Sequence, residues 1–394
     1  MQRRAFLGSM AVVALGGAAT PPLRLGMAGL VHGHAAGFLS RYRDSKDIEL
    51  VGIAEPDRDV AARYIRRSRL DPSSVYPSLE AMLDRAKPQA VVAFTSTAGH
   101  LAVVEACGAR KIPVMMEKPL AVGVEQARAI ERISSEAGIP VLVNYETTWY
   151  PSNHAAYALA REKALGEIRK VVVHDGHRGP KEIGVQPEFL AWLTDPEQNG
   201  AGALFDFGCY GANLMTWLMG DARPNSVTAV TRHFKPEIYP RVDDEATIVL
   251  EYPGAQAIIQ ASWNWPFDRK DMELYGRTGQ VLTVARNGLR VRLAGKPEEE
   301  RQAPALRSPE DDFLRYFGAV VRGEIRPSGP SSLRNNLIVV EILDAARRSA
   351  ATGSTVQPLA AERRAASRIS VTTRLLSSED SPCGRMSPRA TEAK

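Results

Sequence analysis

Glu117-Lys118-Pro119 is the tripeptide in this sequence whose residue types and position best suit catalysis. It follows a short apolar run over residues 112–116, which predicts a buried strand. Proline fixes φ and has no N–H, so the strand ends there and Lys118 stands at its carboxyl end. Open α/β sheets bind ligands at that end, where a lysine could meet a substrate hydroxyl. Taken alone, the tripeptide fits a surface Glu-Lys pair before a turn equally well.

A second polar group occurs later, in a glycine-rich segment that predicts a helix. Asp206, Tyr210 and Asn213 are spaced i, i+4 and i+7, so they would share one face of that helix. An acid, a phenol and an amide on one face could hold a polar substrate. The alternative explanation is an aspartate that caps the helix and a half-buried structural tyrosine.

The turn after the first predicted strand is a degenerate version of a nucleotide-binding loop. The G-x-G-x-x-G pattern requires glycines at 29, 31 and 34, but only Gly29 is in register, with Gly33 as a near substitute. The amides of a helix N-terminus can still hold a pyrophosphate, so we expect a dinucleotide here. Glu55 closes the next strand, where an acid accepts ribose hydroxyls and repels a 2′-phosphate, which favours NAD over NADP. A plain turn residue is the alternative explanation for Glu55.

The elements that would position these residues fall into two groups. Strands predicted at 23–30, 48–54, 90–95, 113–117 and 139–145 alternate with helices at 34–43, 101–110 and 124–137. This alternation predicts a parallel, doubly wound sheet over residues 21–146. Residues 147–358 are richer in hairpin-like strands, at 168–173, 226–234, 246–252, 255–263, 271–275 and 280–286, with helices at 154–164, 309–322 and 331–350. They predict an α+β domain with an open, largely antiparallel sheet.

The two ends of the chain differ from the body in charge. The net charge is +5, of which residues 1–20 carry +2 and residues 361–394 carry +3, so the body is neutral and we expect no nucleic-acid partner. Arg3-Arg4 before a short apolar run resembles a twin-arginine export signal over residues 1–20, which predicts a periplasmic protein without a stable membrane span. Residues 359–394 predict a disordered tail. We expect the three cysteines to be unpaired.

The motifs together resemble those of the Gfo/Idh/MocA oxidoreductases over roughly residues 22–355. Glu117-Lys118-Pro119 is similar to the family's lysine motif, and Asp206-x-Gly208-x-Tyr210-x-x-Asn213 to its D-x-G-x-H-x-x-D motif. Residues 95–100 look like its T-P-N-x-x-H segment. Tyr210 stands where most members have histidine, as in the exported glucose–fructose oxidoreductase branch. The resemblance implies a Rossmann domain followed by an open antiparallel sheet.

The resemblance also implies an oxidation of a sugar or polyol hydroxyl, with Lys118, Tyr210 and Asp206 as catalytic residues. A tyrosine with a pKa of roughly 10 is a poor base at neutral pH, and we expect the Lys118 ammonium to lower that pKa. Expected cofactor contacts are Gly29, Val31, His32, Gly33, His34, Glu55, Thr95, His100, Glu117 and Lys118. Expected substrate contacts are His174, His177, Arg178 and Asn213. We expect no metal, since no ligand spacing repeats among the histidines, and a homo-oligomer formed through the C-terminal sheet.

Two other functions remain open at this point. One is a glycoside hydrolase that uses NAD for a transient oxidation, which would release an aglycone without net NADH. The other is a non-catalytic sugar-binding protein with a vestigial nucleotide fold, since the glycine loop departs from its pattern.

Overall fold

The computed structural model describes residues 21–358. The expected export signal at 1–20 and the expected tail at 359–394, with Cys383, lie outside the described residues. Within them, Cys107 and Cys209 are buried and free. Over the described residues, no helix combines the length and the apolar character needed to cross a membrane.

The first half of the chain forms a six-stranded parallel sheet in the order β3-β2-β1-β4-β5-β6. Its elements are β1 (Leu23–Ala28), α1 (Ala35–Tyr42), β2 (Ile48–Ala54), α2 (Arg58–Ser68), β3 (Val75–Tyr76), α3 (Leu79–Ala86), β4 (Ala90–Ala93), α4 (His100–Gly108), β5 (Val114–Glu117), α5 (Val124–Ala137) and β6 (Val141–Asn144). The strands from β1 to β3 are added toward one edge of the sheet and those from β4 to β6 toward the other. The carboxyl ends of β1 and β4 therefore border a crevice.

The second half forms an eight-stranded sheet in the order β14-β13-β12-β11-β7-β10-β9-β8. Its elements are α6 (Pro151–Arg161), β7 (Ile168–Gly176), α7 (Pro187–Leu193), α8 (Pro196–Asn199), α9 (Ala203–Asp206), α10 (Gly208–Leu218), β8 (Ser226–Arg232), β9 (Glu245–Tyr252), β10 (Ala255–Ser262), β11 (Arg269–Gly276), β12 (Gly279–Thr283), β13 (Gly288–Leu293), β14 (Glu299–Gln302), α11 (Phe313–Val321) and α12 (Leu333–Thr352). Only β7 and β10 pair in parallel. The predicted fold class is confirmed.

Helix α10 covers one face of this sheet at close range. A Cβ at Gly211 would lie 2.5 Å from a methyl carbon of Ile259 in β10, so a larger residue would push the helix away. Val171, Val173 and Asp175 of β7 point to this helix-covered face and are buried. Because side chains alternate along a strand, His174 points to the opposite, open face.

Helix α11 comes from the second half of the chain but packs against the first sheet. Leu314 and Phe317 join the core that contains Phe38 of α1. The Tyr42 hydroxyl donates a 2.6 Å hydrogen bond to Asp312, which also caps α11. The two halves are therefore interlocked, since a late helix completes the core of the early sheet.

Candidate functional site

The centre of the site is a buried ion pair that joins the two halves. Lys118 at the end of β5 donates to Asp206 Oδ1 at 2.5 Å and to the Asp206 carbonyl at 3.1 Å. The Trp263 indole donates to Asp206 Oδ2 at 3.0 Å. Burial alone would lower the pKa of Lys118, but the Asp206 carboxylate raises it; burial would raise the pKa of Asp206, but Lys118 lowers it. Both groups are therefore charged.

Tyr210 lies beside this pair, with the centroid of its ring 5.1 Å from Lys118 Nζ and 4.9 Å from Lys270 Nζ. The expected lowering of the Tyr210 pKa is wrong. Burial raises that pKa well above its usual range, and nearby acids, Glu146 foremost, raise it further. The two cations near the ring, Lys118 and Lys270, are paired with the carboxylates of Asp206 and Glu146 respectively.

The predicted polar stripe does not lie on one helix. Helix α9 ends at Asp206, and α10 begins at Gly208. Asn213 is fully buried, and its amide donates to the Pro330 carbonyl at 2.8 Å and to Asn335 Oδ1 at 2.7 Å. The substrate role predicted for Asn213 is therefore wrong, because its amide joins α10 to α12 inside the core.

Three of the predicted substrate residues lie at the end of β7 or just after it, and one of them, His177, lies near the ion pair. His177 packs edge-on against Phe207, at 4.8 Å between ring centroids, and burial lowers its pKa, so its imidazole is neutral beside Asp206. His174 lies on the open face of the sheet, 3.1 Å from Asp271, which corrects its predicted substrate role. Arg178 is exposed, and its carbonyl accepts from Lys235 at 2.7 Å.

Three residues that the sequence did not single out complete the site. Lys270 of β11 lies opposite Asp175 of β7 in the sheet register, and the Lys270 ammonium contacts Glu146, which follows β6. Asp175 is 1% exposed, and neither of its carboxylate oxygens has a partner among the described residues. Strand alternation was the available signal. His174 and Asp175 are consecutive in β7, so they point to opposite faces of the sheet, and the face covered by α10 is the one that carries Asp175.

The nucleotide loop departs from its consensus, yet it keeps the backbone shape that a pyrophosphate requires. Gly29 has φ +82°, and a Cβ there would lie 2.9 Å from Thr95 Cγ2, so only glycine suits the position. The Val31 and Gly33 amides have no acceptor within residues 21–358. Helix α7 covers the loop, since the Trp192 indole donates to the Val31 carbonyl at 3.1 Å. These free amides at the start of α1 fit a dinucleotide phosphate.

Glu55 lies at the predicted strand end, but its carboxylate already has partners. Its two oxygens accept the amides of Leu30 at 2.8 Å and Asp57 at 2.9 Å, and the side chain is buried. Burial raises the pKa of Glu55. Glu55 therefore holds the glycine loop against the end of β2. Both of its carboxylate oxygens take part in this contact, so binding ribose is not its only role.

His32, His34 and Glu117 meet where the loop approaches β5, with candidate ligand atoms within 4.8 Å of one another. His34 Nδ1 is 3.0 Å from Glu117 Oε2, Asn144 donates to Glu117 Oε1 at 3.1 Å, and His32 Nδ1 accepts the His34 amide at 3.1 Å. Burial alone would raise the pKa of Glu117, but His34, His32 and Asn144 lower it to about 2. These hydrogen bonds account for the cluster without an ion.

His100 contacts the segment that follows Lys118, the lysine predicted to be catalytic. Its Nδ1 is 3.2 Å from the Leu120 carbonyl, and burial lowers its pKa to about 4, so the ring is neutral. The Lys118–Pro119 peptide in this segment is cis. His100 therefore supports the backbone that carries Lys118.

A cavity of about 430 Å³ opens beside the start of α1, between the glycine loop and the carboxyl ends of β5 and β6. It is lined by Gly33, His34, Gly37, Phe38, Arg41, Tyr42, Phe94, Glu117, Asn144, Glu146, Trp149, Arg286, Asp311, Asp312 and Phe313. The cavity runs from the start of α1 to Glu117, which precedes Lys118, and to Glu146, which contacts Lys270. A ligand held at the loop would therefore extend toward the carboxyl ends of β5 and β6.

Solved structures of known proteins share this fold. The aldose–aldose oxidoreductase of Caulobacter crescentus superposes with a TM-score of 0.72 at 23% identity, over 85% of this chain and 99% of that one. An inositol dehydrogenase homologue of Azotobacter vinelandii, solved with NAD+, gives a TM-score of 0.74 at 21% identity, over 86% and 97% of the two chains.

Curated relatives match over shorter stretches. The D-apiose dehydrogenase of Rhizobium rhizogenes is 25% identical over 66% of this chain and 77% of its own length. The trans-1,2-dihydrobenzene-1,2-diol dehydrogenase of Sus scrofa is 25% identical over 52% of this chain. The match spans only 57% of the length of that protein.

Family models cover both halves of the chain. Residues 23–145 match the oxidoreductase family with an NAD-binding Rossmann fold, and residues 154–282 match the GFO/IDH/MocA C-terminal domain. The matches agree with the parallel sheet of the first half and the mixed sheet of the second. The chain therefore belongs to the Gfo/Idh/MocA family of oxidoreductases.

Proposed function

We propose that this protein is an NAD(H)-dependent oxidoreductase that acts on a hydroxyl or carbonyl group of a sugar or cyclic polyol. The observation that carries the proposal is the buried Lys118–Asp206 pair beside Tyr210. Lys118 directly follows Glu117, which lines the cavity beside the glycine loop. The names of relatives such as D-apiose dehydrogenase and inositol dehydrogenase support a polyhydroxylated substrate.

The residues divide the chemistry between them. NAD, when bound, supplies the hydride acceptor. Lys118 donates a hydrogen bond to the reacting oxygen and stabilises negative charge that develops there. Asp206 keeps that ammonium charged and in place, and His177 offers a neutral imidazole to a neighbouring hydroxyl. Tyr210 transfers the hydroxyl proton. Because its raised pKa keeps the phenol protonated, it can accept this proton only as it gives up its own.

The branch, destination and assembly of the protein are parts of the same proposal. Tyr210 in place of histidine and Arg3-Arg4 near the start support a glucose–fructose oxidoreductase-like branch exported by the twin-arginine route to the periplasm. The open face of the second sheet supports a homo-oligomer formed through that face.

The direct test is a substrate survey with the purified protein. NAD+ would be incubated with separate aldoses, inositols and anhydrosugars while NADH absorbance is followed. We expect turnover with at least one polyol and none with Lys118→Met, which removes the ammonium. Failure of NAD+ to bind, measured by calorimetry, would overturn the proposal.

A further inference from the structure

The orphaned carboxyl of Asp175 is the least explained group in the described structure. Its side chain lies on the helix-covered face of β7, 1% exposed, and both oxygens lack hydrogen-bond partners among residues 21–358. Buried polar atoms without partners cost roughly 1–3 kcal/mol each, so their persistence needs a reason. Across the ladder, Ala261 on one side offers no polar atom and Lys270 on the other is engaged by Glu146.

Charged and titratable groups surround Asp175 from every neighbouring element. They are Lys270 and Asp271 of β11, Glu146 after β6, Lys118 of the segment after β5, Tyr150 before α6, and Cys209 and Tyr210 of α10. Burial raises the pKa of Asp175 well above its usual range, and Asp271 and Glu146 add to this against the opposing effect of Lys270 and Lys118. Burial thus favours the neutral acid at this position.

Lys270 is placed to alter this balance. Its ammonium lies 4.9 Å from the centroid of the Tyr210 ring and contacts Glu146, whose side chain is 45% exposed. Because Lys270 stands opposite Asp175 in the ladder, a change of side-chain rotamer could transfer it from Glu146 to Asp175. A lysine beside Asp175 would favour the carboxylate, and Glu146 would provide the route by which the proton reaches solvent.

We propose that Asp175 is the proton store of the reacting centre, which releases its proton when NAD+ binds and takes up the proton that Tyr210 passes on during oxidation. The inference rests on the proposed function. In the step, the substrate O–H bond breaks as its proton joins the Tyr210 oxygen, the Tyr210 O–H bond breaks as its own proton is passed on, and the Asp175 carboxylate binds one proton. The hydride leaves the substrate carbon with its electron pair for NAD+, the oxidant of the proposed function, so one proton remains, on Asp175.

The test uses NAD+ and NADH as separate probes. Binding of each would be measured by calorimetry in buffers of different ionisation enthalpy, which reports the protons released. The two ligands share pyrophosphate and riboses, but only NAD+ brings a positive nicotinamide, which favours an ionised Asp175. We expect greater proton release with NAD+ than with NADH, and loss of the difference in Asp175→Asn. Glu273→Gln, a carboxylate-to-amide change on the open face, should keep it.

The possible results separate the two proposals. No heat of binding with either ligand would contradict the proposed function itself. Binding with equal proton release for NAD+ and NADH, or a difference that persists in Asp175→Asn, would overturn the role of Asp175. If Asp175→Asn does not fold, infrared spectra of the parent protein decide: a protonated carboxylic acid band that NAD+ removes supports the store, and its absence contradicts it.

Discussion

At the scale of single residues, the site contains two kinds of group: side chains held in their charged forms, and side chains that keep a proton. Lys118 and Asp206 are held in their charged forms by each other, and Lys270 pairs with Glu146. Tyr210 has both ammonium groups near its ring but keeps its proton, because burial and the nearby acids raise its pKa well above the usual range. The charged pairs therefore fix position, while proton transfer depends on Tyr210 and Asp175.

We expect Tyr210→Phe to lower turnover roughly 10²–10⁴-fold, the usual contribution of a positioned acid–base group. The ring is retained and its hydroxyl has no hydrogen-bond partner among the described residues, so the midpoint of thermal unfolding should change little. Steady-state kinetics on an identified substrate, with NAD binding as the control, would measure this. Turnover near the parent value would show that Tyr210 is structural.

We expect Lys118→Met to lower turnover at least as far as Tyr210→Phe, because the reacting oxygen loses its ammonium partner. It should also destabilise the fold by roughly 3–5 kcal/mol, since Asp206 becomes a buried charge without its counter-ion. Denaturant unfolding would measure the loss. Lys118→Met/Asp206→Asn removes both charges and should recover part of the stability but none of the activity. Equal stability of the single and double variants would contradict this coupling.

Glu117 should make the protein sensitive to acid. Its pKa is about 2 in the folded protein against an ordinary 4.5, so its stabilisation is complete above pH 4.5 and is lost as pH falls toward 2. The difference is worth roughly 3 kcal/mol. Free energies of unfolding across this range should fall less steeply in Glu117→Gln. Parallel curves for the two proteins would show that other carboxyl groups dominate acid unfolding.

At the scale of elements, the strand ends position the chemistry and the helices hold them together. Strand β5 carries Glu117 and Lys118 to the crevice, while α9 delivers Asp206 from the other half. Helix α10 can pack closely on β10 only because Gly211 has no side chain. Asn213 then joins α10 to α12, so the position of Tyr210 depends on a core hydrogen bond.

We expect Asn213→Ala to lower the free energy of unfolding by roughly 1–3 kcal/mol, because the Pro330 carbonyl and Asn335 Oδ1 lose a donor in the core. The KM of the folded variant should match the parent. Asn287→Ala, at an exposed position, is the matched control and should change neither quantity. A raised KM with unchanged stability would instead restore the substrate role.

The sequence was sufficient to predict most of the strands, the order of the two halves and the proximity of Lys118, Tyr210 and Asp206, because local periodicity and short motifs indicate them; β3, β13 and β14 were missed. It was not sufficient to predict which face of β7 is covered, since alternation alone does not say on which face α10 packs. His174 was therefore chosen and Asp175 missed. The partners of Glu55, the amides of Leu30 and Asp57, depend on a loop conformation that no local pattern reports.

At the scale of the whole molecule, the basic residues that give the net charge lie toward the ends of the chain, outside the described residues. We expect Arg3→Lys/Arg4→Lys to leave the precursor in the cytoplasm, since the twin-arginine pair is the proposed export signal. Fractionation of the producing cells would show this. Unchanged recovery from the periplasm would contradict the assignment.

The position of α11 has a consequence for how the protein is made. The nucleotide-binding half leaves the ribosome first, but Phe38 and its neighbours stay partly uncovered until Leu314 and Phe317 have been synthesised. Its first sheet cannot mature as an independent unit during translation, so the nascent chain exposes apolar surface until nearly all of it has been synthesised. Until α11 has been synthesised, this uncovered apolar surface is one that chaperones can bind.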